Sequence, residues 1–232
     1  MAPTLAWLAD RADLDDDARA SVGGDPSAAT DPGAAARHLL AAGHAADGIR
    51  VVACALPPRE GVWWAWVSAR HAAQVAEASG AGADAAVNDA LAAIERWITQ
   101  PSDDTRRAAW AASDVAGLES PAGAAAAAVF FSGGSIASPD VSPVPPPAGL
   151  HATMIAASVT MAAATDAASL DVVAGAYIDQ ATEIIKQLGG WDRAAATAKQ
   201  YHDAQHEQHE AFANAGKPKA EPVAQSNAAR GS

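Results

Sequence analysis

The chain has 232 residues, half of them hydrophobic and 18% charged, with a formal net charge of −12. That length supports a sizeable buried core, while the acidity opposes a phosphate backbone, so nucleic acid is not an expected partner. One cysteine, Cys54, excludes an internal disulfide and suits a reducing compartment. The opening stretch turns acidic without a basic region and apolar run, and no apolar run reaches the roughly 20 residues of a bilayer span, so a cytoplasmic protein without membrane insertion is expected.

Much of the hydrophobic fraction is alanine, which implies close-packed helices, and the seven tryptophans must supply a large share of buried area. Residues 3–20 predict one or two short helices, with Asp13 as a cap and Gly23-Gly24-Asp25-Pro26 as the stop. Asp31 caps a helix whose first turn holds Pro32 and which Gly43 ends. The apolar run Ile49–Leu56 has a strand-like composition, but no second strand is available to pair with it, so it reads as helix ending at Pro57-Pro58.

From Glu60 to Ser79, the positions Val62, Trp63, Trp66, Val67, His71 and Val75 have helical spacing and predict a central helix with its tryptophans mainly on one stripe. Asp84 caps the next helix, whose apolar set is Val87, Leu91, Ile94 and Ile98. Ser102 opens another carrying Arg106, Arg107 and Trp110, and Ser120-Pro121 opens an alanine-rich helix that ends at Ser132-Gly133-Gly134. Five prolines between Ile136 and Gly149 exclude regular helix and predict an extended connection. Residues 151–164 and 166–188 then predict a helical hairpin, and 191–214 a last, increasingly polar helix. The remainder, 216–232, has little to bury and reads as a disordered tail.

The sharpest chemical candidate is the triplet His202, His206 and His209, whose i, i+4, i+7 spacing would put three imidazoles on one helix face, as a Zn²⁺ site requires. The order His-Glu-x-x-His is absent, and a solvated helix end explains the same residues. Arg70 and His71, with Trp63 or Trp66 as a stacking floor, would line a pocket, although ion pairing and stacking of Arg on Trp are the ordinary reading. Arg106 and Arg107 opposite Asp103 and Asp104 read as a surface ion-pair set, and Cys54 as buried and inert. Ser132-Gly-Gly-Ser135 is neither a nucleophile elbow nor a phosphate loop, since it ends a helix instead of opening one.

The segments Pro57-Pro58-Arg-Glu-Gly-Val-Trp63-Trp64, Ala93-Ile-Glu-Arg-Trp97, Pro101-Ser-Asp-Asp-Thr-Arg106-Arg107, Ser120-Pro121-Ala-Gly and Phe130-Phe-Ser-Gly-Gly-Ser135 occur in that order. On them, over roughly residues 37–165, the chain resembles an uncharacterised bacterial family of Ala- and Trp-rich helical proteins, some encoded near type VI secretion or forkhead-associated-domain genes. The resemblance implies an accessory or adaptor role in that machinery and carries no catalytic residues.

The expectation is therefore an all-α, irregular bundle of about eight to ten helices, one domain over residues 1–215 with the proline connection 136–149 inside it. Its expected function is non-enzymatic: binding another protein, such as a secretion-system component, with Trp63, Trp66 and Arg70 as the binding residues. The alternative is a metal-binding protein or metal-dependent enzyme using the C-terminal histidines.

Overall fold

The computed structural model describes residues 5–23, 31–165 and 170–215. The predicted tail at 216–232, the Gly24-Asp25-Pro26 stop and the start of the second hairpin helix at Asp166 lie outside the described residues. Within them there are eleven helices and no strand, so the all-α expectation holds with one helix more than its upper count.

The order is α1 (Leu5–Arg11), α2 (Asp16–Gly23), α3 (Pro32–Ala41), α4 (Ala45–Ala55), α5 (Pro58–Ala78) and α6 (Ala85–Thr99). There follow α7 (Asp103–Ala116), α8 (Pro121–Phe131), α9 (Leu150–Thr165), α10 (Leu170–Gln187) and α11 (Trp191–Ala215). Local chemistry sets most of these starts. Asp31 accepts from the amides of Gly33 and Ala34, Asp84 from those of Ala86 and Val87, and Ser120 from that of Gly123. Ser102 and Thr105 form a reciprocal capping box at the head of α7. At α2 the cap is Asp15, which accepts from the Ala18 amide at 2.8 Å, whereas the expected cap Asp13 sits in the preceding turn with φ of 50°.

At the centre lies α8, where nine of eleven residues are buried. A helix apolar on every side must be surrounded, and α8 packs against α5, α6, α7 and α9. Alanine and glycine permit the close approach. A Cβ on Gly61 would meet the Ile155 side chain of α9 at 2.8 Å, and one on Gly48 would meet the Ala36 carbonyl of α3 at 2.7 Å. The buried apolar side chains form one continuous cluster from Leu8 in α1 to Ala195 in α11.

The proline segment docks on its own body. Ile136 donates to the Val144 carbonyl at 2.9 Å, Val144 donates to Ser135 Oγ at 3.0 Å, and Arg107 donates to the Ala137 carbonyl at 2.9 Å. Arg106 is buried and donates to the carbonyls of Phe130 and Ser135, so it ties the C-terminal end of α8 to the turn beyond it. The expected ion pair with Asp103 is present, but Arg106 is a core residue and not a surface one.

Candidate functional site

On α5 the buried positions are Gly61, Val62, Trp64, Ala65, Ser68, Ala69 and Ala72. This corrects the expected stripe. The face that enters the core is lined mainly by small residues, which let α8 and α9 approach, and of the three neighbouring tryptophans only Trp64 is fully enclosed. Trp63 and Trp66, three positions apart, turn the other way and line the trough between α5 and α10.

This trough has two parts. Around Trp66, Arg70, His71 and Gln74 of α5 and Tyr177 and Gln180 of α10 lies a groove of about 480 Å³. The Arg70 guanidinium stands 5.3 Å over the Trp66 ring, a cation–π stack. Trp66 also donates to the Leu91 carbonyl of α6 at 2.9 Å, which fixes its ring. His71 Nδ1 and the Tyr177 hydroxyl share a hydrogen bond of 2.8 Å, which closes the floor. The second part, about 200 Å³, is lined by Trp63, Arg59 and Glu60 with Ile184 and Gln187 of α10 and Leu188 just beyond it. It adjoins a shallow depression of about 500 Å³ that runs along the start of α11 past Arg193.

Trp63 is 36% exposed, and among the described residues its indole N–H has no hydrogen-bond partner. Arg59 is held by two donations to the Ile98 carbonyl, at 2.9 and 2.5 Å, so the rim beside Trp63 is rigid. The arrangement offers aromatic surface, a stacked guanidinium and amide side chains on one accessible face. Aromatic and arginine side chains of this kind are enriched at protein interfaces in general.

The structure does not bring His202, His206 and His209 together. All three lie on one stripe of α11, as the spacing requires, but only the first of them is enclosed by the helical body. His202 is buried against α1 and α9, while every residue from His206 to Phe212 is exposed and His206 lies 3.4 Å from Glu210. Among the described residues no group of three or more His, Cys, Asp or Glu side chains is placed to hold a metal ion. Cys54 is buried as expected; burial pushes its thiol up to about 12 against the opposing pull of Arg11 and Arg50.

Two residues that sequence reasoning passed over matter here. Tyr177 is the floor of the groove, and its place on the apolar face of α10 signalled burial but not its hydrogen bond to α5. His151, the second residue of α9, is fully buried beside His202, and a lone histidine at a helix start carries no signal of that.

The chain belongs to DUF6931, a family of unknown function whose model matches residues 35–185. The trough between α5 and α10 falls almost wholly inside that match, whereas α1, α2 and α11 fall outside it. No curated protein and no solved structure matches the chain.

Proposed function

We propose that this family member is a non-enzymatic accessory or adaptor protein that binds another protein through the trough between α5 and α10. The observation that carries the reading is Trp63: a large aromatic side chain, 36% exposed, at the rim of a groove. Such a tryptophan gains apolar burial when a partner covers it and exchanges water at its N–H for a directed hydrogen bond. Arg70, stacked on Trp66 in the neighbouring groove, supplies a preorganised donor on the same face. The partner class that the family resemblance suggests is a component of a bacterial type VI secretion apparatus.

Affinity capture of the tagged chain from its native cells, at low and moderate salt, tests this reading. A discrete protein should be retained both by the full chain and by one truncated at Gly216, since the trough lies far from the C-terminus in sequence. Retention by neither would remove the adaptor reading.

A further inference from the structure

His151 of α9 and His202 of α11 face each other with ring centroids 5.0 Å apart, and both side chains are sealed from solvent. Among the described residues none of their four ring nitrogens has a hydrogen bond of ordinary geometry, and only weaker approaches by Gln205 to His151 and by the Cys54 backbone to His202 favour a proton there. The surrounding shell is mostly aromatic: Trp7 of α1 packs edge-on to His202 and Tyr201 edge-on to His151. Two neutral imidazoles fit such a place, and a charged one does not, because a buried cation without a partner bears its full desolvation cost.

Burial sets the sign, and the charged and polar neighbours on each element adjust it. From α1, Arg11 repels a proton on His202 and also stands over Trp7 at 5.9 Å. From α4, the Cys54 backbone lies beside His202, and the Cys54 thiol stays neutral. Arg11, Asp13 and Arg50 line a small cavity next to Cys54, with Ala152 and Thr153 of α9 on its other side. On α11, Asp203 favours a proton on His202 but is itself engaged by Lys199 at 2.5 Å, and Gln205 lies beside His151. Burial is the leading cause and Arg11 the second in pushing the His202 imidazole down to about 4. His151 is held well below its ordinary value by burial first and by His202 second.

What α11 has to resist such a charge is modest. Its N-terminal half rests on Trp191 and on Ala194, Ala195 and Ala198, which bury little area each. Its middle is fastened by His202 and by hydrogen bonds from Tyr201 to the Ser132 carbonyl and from Gln205 to the Phe131 carbonyl. Beyond Gln205, residues 206–212 of the helix are exposed, with Gln208, Ala211 and Phe212 only lining an open groove beside Arg107 and the proline segment.

We propose that the His151–His202 contact is an acid-sensitive latch, which holds α11 and α1 on the helical body while both rings are neutral and releases them when either ring is protonated. The released state takes up protons with an ordinary imidazole midpoint, about 6.5. The latched state binds fewer protons, so its advantage is complete above that value and falls as the pH drops toward 4. Release separates Trp7 of α1 and Tyr201 of α11 from His151 of α9 and so exposes the three rings, without requiring α5, α8 and α9 to separate.

Hydrogen exchange of the full chain at pH 7.5 and 4.5, corrected for intrinsic exchange rates, tests the latch. Protection of 191–205 and of 5–11 should fall at least tenfold at the lower pH, while α8 keeps its protection. In the doubly substituted His151→Leu, His202→Phe chain, that selective loss should disappear. Loss of protection in α11 together with α8, or undiminished selective loss in the double variant, would overturn the proposal. Should the double variant not fold, the imidazole resonances of the wild-type chain decide. They should titrate together with the exchange of α11, and a ring titrating near 6.5 while α11 stays protected contradicts the latch.

Discussion

The indole N–H of Trp64 donates to the main-chain carbonyl of Tyr177 at 2.9 Å, joining α5 to α10 across 113 residues of sequence. The bond sets the position of α10 along α5, and with it the Tyr177 ring that floors the groove beside Trp66. The enclosed tryptophan thus positions the surface that its two neighbours expose.

Trp64→Phe keeps most of the ring volume and removes the donor. The loss should be about 1–3 kcal/mol, read from urea denaturation midpoints. Trp64→Ala should cost about 3–5 kcal/mol, as for other deleted core aromatics, and Trp63→Ala less than half of that. Equal losses at positions 63 and 64 would contradict the assignment of faces on α5.

Glycine substitutions separate backbone contacts from side-chain contacts. A Cβ on Gly123 would lie 1.9 Å from the Gly117 carbonyl, and backbone there has no room to give. Gly123→Ala should destabilise by about 3 kcal/mol, the upper end of ordinary overpacking. At Gly175 the nearest obstacle is a Leu40 methyl at 3.2 Å, at the flexible end of a side chain. Gly175→Ala should lie within about 1 kcal/mol of the parent, since the gain in helix propensity offsets the adjustment. Thermal unfolding of both variants checks the contrast.

Helix starts were legible in the sequence because capping is local: Asp31, Asp84, Ser102 and Ser120 each satisfy amides two or three residues on. The buried face of α5 was not. Valine and tryptophan dominate any apolar stripe, yet the close helix crossings need Gly61, Ala65, Ser68 and Ala72, which score as weakly apolar. Trp63, Trp66 and Arg70, expected from the sequence as binding residues, lie exposed or half-buried on the side of α5 away from Trp64. The His202, His206, His209 spacing is geometrically sound, but sequence does not show which part of a helix the body encloses, and here it encloses His202 and leaves His206 and His209 exposed. Arg106 was misplaced for a related reason: its carbonyl partners lie 24 and 29 residues away, beyond the reach of local charge patterning.

Arg106→Met should free the Ser132–Ser135 turn, because the carbonyls of Phe130 and Ser135 lose a charged donor. The expected cost is about 2–3 kcal/mol, with limited proteolysis appearing near Gly133 and Gly134. The carboxyl of Asp103 is held below its ordinary range by hydrogen bonds from Arg107 first and Arg106 second. Its contribution is therefore present above the ordinary carboxylate midpoint, about 3.9, and is lost as the pH falls below it. Asp103→Asn should flatten that acid limb of the stability curve and leave neutral-pH proteolysis near the turn less affected than Arg106→Met does.

The Cys54 thiol, pushed up to about 12 by burial, should resist a disulfide reagent at pH 8 for as long as the chain stays folded. One thiol per chain should react within minutes in denaturant. Rapid modification of the folded chain would show that the cavity beside Arg11 and Arg50 opens readily.

The most direct test of the binding surface compares wild-type chain with a Trp63→Ser, Arg70→Glu double variant in affinity capture from native cells, after circular dichroism has confirmed an unchanged helical fold. A discrete partner held in near-equal amount by the wild-type chain and lost from the variant is the predicted result. A partner retained equally by both, or none retained by either, would contradict an adaptor acting through the face between α5 and α10.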